Sequence, residues 1–222
     1  MKRARTNAIR AASRLGDAKL FKSLLARFAR CRKVPRVHCG AFRRAYELER
    51  SLSKLEARLS RAKRTGSEFD AVLYELSQKA SELERKANSL EIDWLHARAV
   101  AAEAECARLS GYEDQWQRKL QDAAEYCRND CPRQASKYLA RLGRDAEKKG
   151  NFERAYVFFA RANAVVLQGL SKAQRRYRRT DDLRRICRHL KKGSPNRCFD
   201  LERDATGFVT FTDFSKTRLK ST

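Results

Sequence analysis

Apolar positions set out the architecture before composition is considered. Ala45, Leu48, Leu52, Leu55, Leu59 and Ala62 recur at alternating steps of three and four, the spacing of a helical heptad seam. Thr65-Gly66-Ser67 interrupts it, and Ser67 with Asp70 reads as a new helix start. The same rhythm then runs through Phe69, Leu73, Leu76, Ala80, Leu83, Ala87, Leu90, Trp94, Ala97, Ala101 and Ala104. Read continuously to Leu109, this second helix would be roughly 60 Å long at about 1.5 Å per residue. Two seams joined by a Gly-containing turn predict a long antiparallel, coiled-coil-like hairpin over 41–110. Its second arm outlasts the first, so from Trp94 onward it needs another partner: the N-terminal helix, the later helices or a second chain.

Ser110-Gly111 marks the next break. Tyr112, Trp116, Leu120, Ala123 and Cys127 predict a helix that stops near Cys131-Pro132. Further helices are expected over about 133–149 and 152–167, then from 171 to 191 with a break near Thr180-Asp181. Upstream, Leu20, Phe21, Leu24, Leu25 and Phe28 mark a short basic amphipathic helix within residues 1–40. Downstream, 206-TGFVTFTDF-214 alternates in the manner of a strand and is rich in β-branched and aromatic residues. The chain thus reads as mainly α. A basic arm (1–40) precedes the hairpin (41–110), a compact helical part (111–193) follows it, and a basic tail (194–222) ends in a β-like segment.

Within the compact part, Leu142-Gly143, Ala146, Gly150-Asn151-Phe152-Glu153, Ala155, Phe158-Phe159 and Ala162 follow a definite spacing. Gly143 and Ala155 are small where two helices would cross. Gly150-Asn151 suits a turn through positive φ. The pattern over about 135–167 resembles a single tetratricopeptide repeat, and the resemblance implies protein recruitment. It departs from that family at Ala146, where a tyrosine is usual, at Leu139, where a tryptophan is usual, and at Leu167, where a proline is usual. Neither the window before it nor the one after repeats the Gly and Ala positions. Such modules normally need several stacked copies to make a groove. A plain helical hairpin with similar turn chemistry fits the same residues. On the recruiting reading Phe152, Phe159 and Trp94 are the partner-binding candidates.

Charge changes the picture most. The chain of 222 residues carries 51 Lys/Arg against 27 Asp/Glu, a net +24. Residues 1–44 hold +13, 45–127 hold −3, 128–170 hold +5 and 171–222 hold +9. A nearly neutral middle therefore joins two cationic ends, a field that attracts polyanions. The segment 171–192 supplies Lys172, Arg175, Arg176, Arg178, Arg179, Arg184, Arg185, Arg188, Lys191 and Lys192, with Tyr177 placed to stack on a base. Leu183, Ile186 and Leu190 leave this helix an apolar stripe for docking. Arg3, Arg5, Arg10 and Arg14 form a second basic group. The same N-terminal composition also fits an organelle-targeting presequence or an arm for a membrane surface. No zinc-finger, helix-turn-helix or RNP signature accompanies these residues, so phosphate contacts are expected to dominate over base reading.

Other chemistry finds less footing. The seven cysteines, Cys31, Cys39, Cys106, Cys127, Cys131, Cys187 and Cys198, lack the tight paired spacing of a zinc site. With no apolar leader visible they are expected as free thiols in a reducing intracellular compartment, cytoplasm or nucleus. The three histidines, His38, His96 and His189, belong to no hydrolase or metalloprotease motif. The expectation is a non-enzymatic nucleic-acid-binding protein without metal or cofactor, DNA or RNA left open, that works in a nucleoprotein assembly or self-associates through the seam. The alternative is an adaptor gripping a protein partner.

Overall fold

The computed structural model describes Leu20, Ser23, Leu24 and Ala26 together with residues 36–62, 69–169 and 180–191. Among these residues every regular element is helical. They form α1 (Arg36–Arg61), α2 (Phe69–Asn88), α3 (Asp93–Leu109), α4 (Glu113–Tyr126), α5 (Pro132–Lys148), α6 (Phe152–Gly169) and α7 (Thr180–Lys191). Leu20, Ser23, Leu24 and Ala26 are also helical. The strand-like tail expected at 206–214 lies outside the described residues, as does most of the N-terminal arm. None of the described helices is long and apolar enough to cross a membrane. The chain divides into two compact units, Met1–Tyr138 and Leu139–Thr222.

In the first unit the leucine seams are buried as their spacing predicts: Leu48, Leu52, Leu55 and Leu59 on α1, and Leu73, Leu76, Ala80, Leu83 and Ala87 on α2. The expected continuous second helix does not form. The chain turns at 89–92 and reverses, so α2 and α3 replace one long arm. Glu91 sits at φ 52 within this turn, a left-handed conformation that few non-glycine residues take. The heptad rhythm hides the break because the residues on both sides of it are buried: Ala87 ends the α2 seam and Trp94 begins α3. Composition gives the reason for the reversal. The 97-ARAVAAEA-104 run is apolar nearly all round, and Ala97, Ala99, Val100, Ala102 and Ala104 are all buried. A helix of that kind has to be enclosed rather than extended along one neighbour.

Helix α3 is accordingly the centre of its unit, packing on α1, α2 and α4. Glu84 of α2 meets His96, and Arg58 of α1 meets Glu75. On the other side the His96 and Tyr126 rings lie 4.2 Å apart, while Glu103 pairs with Lys119. These pairs set an up-down-up-down order in which α1 and α3 run parallel. Of the partners open to the extra arm length, a later helix covers most of it: α4, through buried Trp116, Leu120, Ala123 and Ala124.

The α1–α3 contact carries a buried charge network. Glu49, Ser53 and Glu56 follow each other at steps of four and three, one residue round from the leucine seam. Arg98 reaches all three from α3. Its Nη1 donates to Glu49 Oε1 at 3.0 Å, its Nη2 to Ser53 Oγ at 3.2 Å, and its Nε and Nη2 fork onto Glu56 at 2.8 and 2.6 Å. Ser53 Oγ also donates to Glu49 at 3.0 Å. The Arg98 guanidinium carbon lies 6.0 Å from the centroid of the Trp94 ring, within cation–π reach. Burial opposes the charge on Arg98, but Glu56 and Glu49 outweigh it and hold the guanidinium above its ordinary value.

In the second unit, the end of α5 turns into α6 as the glycine pattern requires. Gly150 has φ +74 with open space around it. Asn151 N donates to Ala146 O at 2.9 Å and Gly150 N to Glu147 O at 3.0 Å, which closes α5 in a Schellman motif. Asn151 Oδ1 then accepts from Arg154 N at 3.1 Å and caps α6. A β-carbon on Gly143 would stand 3.0–3.1 Å from three atoms of the Phe159 ring, and Phe159 is 0% exposed. Small size at 143 is therefore a packing requirement.

Two substitutions test these contacts. Arg98→Met is expected to lower stability by about 3–5 kcal/mol, because it breaks the buried pair between Arg98 and Glu49. The Arg98→Met/Glu49→Met double variant should recover most of that loss in denaturant unfolding; equal loss in both would remove the network's role. Gly143→Ala should cost about 1–2 kcal/mol through overpacking. In a Phe159→Leu background the same change should turn neutral or stabilising, as alanine's helix preference is released.

Candidate nucleic-acid interface

The amphipathic stripe foreseen for the last basic helix docks it. Leu183 and Ile186 of α7 are buried, and α7 packs on α6. Arg185 completes the attachment from the same element. Its Nε and Nη2 donate to the two oxygens of Glu147 on α5 at 2.7 and 2.9 Å, and Nη2 also reaches Asp182 at 2.9 Å. The fork to Glu147 holds Arg185 above its usual value and Glu147 below it. Next to this contact His189 stacks on Phe152, the first residue of α6. The ring centroids are 4.5 Å apart and the planes 3° from parallel.

The basic residues singled out from sequence therefore have different surroundings. Arg184 is exposed and pairs with Asp181 at 3.4 Å. Arg185 is committed to two carboxylates and holds helices together. Arg188 is exposed with no carboxylate at salt-bridge distance among the described residues. Lys191 ends α7, and its side chain is not described. Lys172, Arg175, Arg176, Tyr177, Arg178, Arg179 and Lys192 lie outside the described residues, as do Arg3, Arg5, Arg10 and Arg14. Of the three partner-binding candidates, Trp94 and Phe159 are interior, at 4% and 0% exposure. Packing against neighbouring helices uses the surface they would offer a partner. Phe152 is half-buried beneath His189.

Sequence reading passed over cations on the two helices that receive α7. Arg144 and Lys148 on α5 and Arg161 on α6 are exposed, again with no carboxylate at salt-bridge distance among the described residues. The signal was present in the spacing of Arg141, Arg144 and Lys148, which places three cations on one side of α5. It was masked by the acids Asp145 and Glu147 between them. Over residues 139–169 and 180–191 there are ten Lys/Arg against five Asp/Glu. Over 36–62 and 69–138 the numbers are seventeen and sixteen. The described part of the second unit is cationic, and that of the first is balanced.

The first unit has its own polar cluster. A cleft of about 190 Å³ between α2, α3 and α4 is lined by Ser77, Ser81, Glu103, Cys106, Ser110 and Lys119, among others. Burial pushes the Cys106 thiol up to about 12, so at neutral pH it is a thiol and a poor nucleophile. Burial likewise raises Cys127 well above the ordinary thiol range. Cys106, Cys127 and Cys131 are free and buried. Cys187, expected as a free thiol, is disulfide-bonded. Among the described residues no three His, Cys, Asp or Glu side chains gather as metal donors.

No family model, no curated protein and no solved structure matches this chain.

The α2–α3–α4 cluster makes stability depend on pH in a defined direction. Burial and the neighbouring Glu103 raise the Glu84 carboxyl above its ordinary value of 4.5, while Lys119 and His96 act against the rise. An acid whose folded value is raised favours the fold while protonated, and that contribution is lost as pH rises through the folded value. Glu84→Gln should therefore melt higher than the parent at pH 8, and the advantage should vanish toward pH 4. An advantage equal at both values would remove Glu84 as its source.

Proposed function

We propose that this chain is a non-enzymatic helical protein that binds nucleic acid mainly through phosphate contacts, as part of a nucleoprotein assembly. The observation that carries the reading is the uneven distribution of charge. The described part of the first unit is balanced, and that of the second is cationic, with Arg144, Lys148, Arg161 and Arg188 exposed and without carboxylate partners at salt-bridge distance among the described residues. Guanidinium forks and ammonium groups left in water are matched to phosphate oxygens. The segments at 1–35 and 170–179 add sixteen more Lys/Arg and a single acid to the chain, which strengthens the same field. The long helices α1 and α2, whose seams are buried within the unit, serve in this reading as a spacer, and the seam is not left over for self-association. The adaptor reading stands second, because buried Phe159 and Trp94 offer little to a partner.

Binding to duplex and single-stranded nucleic acid should be measurable at low salt. Log affinity should fall linearly with log salt, at a slope of about 0.7 to 0.9 per phosphate neutralised. Protein purified at low salt should carry an absorbance excess at 260 nm that a high-salt wash removes. Absence of binding at low salt, or binding indifferent to salt, would sink the reading.

A further inference from the structure

We infer that the Phe152–His189 stack is a platform for an unpaired nucleobase, with Arg144, Lys148 and Arg188 taking the phosphates on either side, so that the second unit grips single-stranded nucleic acid. The inference rests on the nucleic-acid reading and adds to it a site and a form of the ligand.

The geometry begins with one anchor. The Arg185 fork onto Glu147 fixes where α7 crosses α5. Arg144 and Lys148 flank Glu147 on α5, three residues before it and one after. Arg188 lies one turn beyond Arg185 on α7. Arg144 and His189 are both near enough to Glu147 to act on it electrostatically. The crossing therefore brings Arg144 and His189 to a carboxylate whose charge Arg185 already answers, with Lys148 beside it in sequence on α5 and Arg188 beside His189 on α7. His189 stands in the same neighbourhood. One face of its ring is covered by Phe152 in a near-parallel stack. The residue is exposed even with that stack in place, so His189 keeps surface that a base can reach.

An aromatic face beside exposed cations is the combination that single-strand binders use. Stacking needs a base that is free of its duplex, and histidine is among the side chains that supply such a face. A duplex keeps its bases stacked on each other and can use only the cations. Phe152 contributes by holding the imidazole flat, so little rotational freedom remains to be lost when a base lands on it. Arg144 and Lys148, four residues apart, stand roughly 6 Å apart along the helix axis, close to the distance between successive phosphates of an extended strand.

The test uses the full chain and two fluorescent probes of equal length, a mixed-sequence single strand and its duplex. Anisotropy is followed from about 50 to 200 mM salt. His189→Ala should weaken single-strand binding about tenfold, leave the salt slope unchanged and leave duplex binding unchanged. His189→Phe should retain single-strand affinity. Arg144→Ala/Lys148→Ala should reduce the single-strand salt slope by about 1.4. Melting curves matching the parent's show that each variant is folded, which the exposure of all three side chains favours. If His189→Ala binds the single strand as the parent does, or His189→Phe loses as much as His189→Ala, the platform is overturned while the nucleic-acid reading stands. If the parent binds neither probe at low salt, both fall together.

Discussion

The arrangement of the first unit depends on a charge placed where its helices would otherwise meet only through hydrocarbon. Arg98 enters the α1–α3 contact and satisfies its donors on Glu49, Ser53 and Glu56, beside the Trp94 ring. Leucine seams alone tolerate sliding by a heptad, since Leu48, Leu52, Leu55 and Leu59 present similar surfaces. A guanidinium with three partners at fixed spacing does not. Any slip breaks the Arg98 pair with Glu49, which is 2% exposed, at a cost on the order of several kcal/mol for a broken buried ion pair. The network therefore selects the register in which α1 and α3 run parallel. That register in turn leaves α2 and α4 as the antiparallel neighbours that complete the enclosure of α3.

This helps to explain which parts of the fold were readable from the chain. Each residue of the α1 seam from Ala45 to Leu59, and most of those expected on α2, is buried, because one-sided burial writes itself as a three-four rhythm. The α5–α6 turn was readable at the level of single residues, Gly143 for the close crossing and Gly150-Asn151 for the turn, of which Gly150 alone takes positive φ. The reversal at 89–92 was not. Burial on both sides of it continued the rhythm, and Glu91 occupies a conformation that its side chain does not announce. The all-round apolar character of 97–104 was the available sign. It indicates enclosure, which an extended two-helix hairpin does not provide.

The candidate site was readable in charge and not in geometry. Composition assigns cations to the last helix, yet it cannot separate those that hold the helix down from those that face solvent. Arg185 and Arg188 differ by three positions in sequence and fall on opposite sides of that division. The contribution of α5 was hidden because Arg144 and Lys148 alternate with acids whose charge is used internally, Glu147 by Arg185 and Asp145 by Lys149 at 2.8 Å. Likewise, His189 and Phe152 are 37 positions apart in sequence, and only the docking of α7 brings their rings together.

The way α7 is attached has a consequence for motion. Helix α3 is enclosed by three neighbours, so its amide hydrogens exchange only when the unit opens as a whole. Among the described residues, two buried apolar side chains, one ring stack and the Arg185–Glu147 pair hold α7, beside the disulfide of Cys187. Its hydrogens should exchange through a local opening that costs much less. Because the Arg185 side chain is 39% exposed, dissolved salt screens its pair with Glu147. Added salt then acts twice on the same element, weakening a polyanion's hold on the surface and loosening the helix that helps to build it.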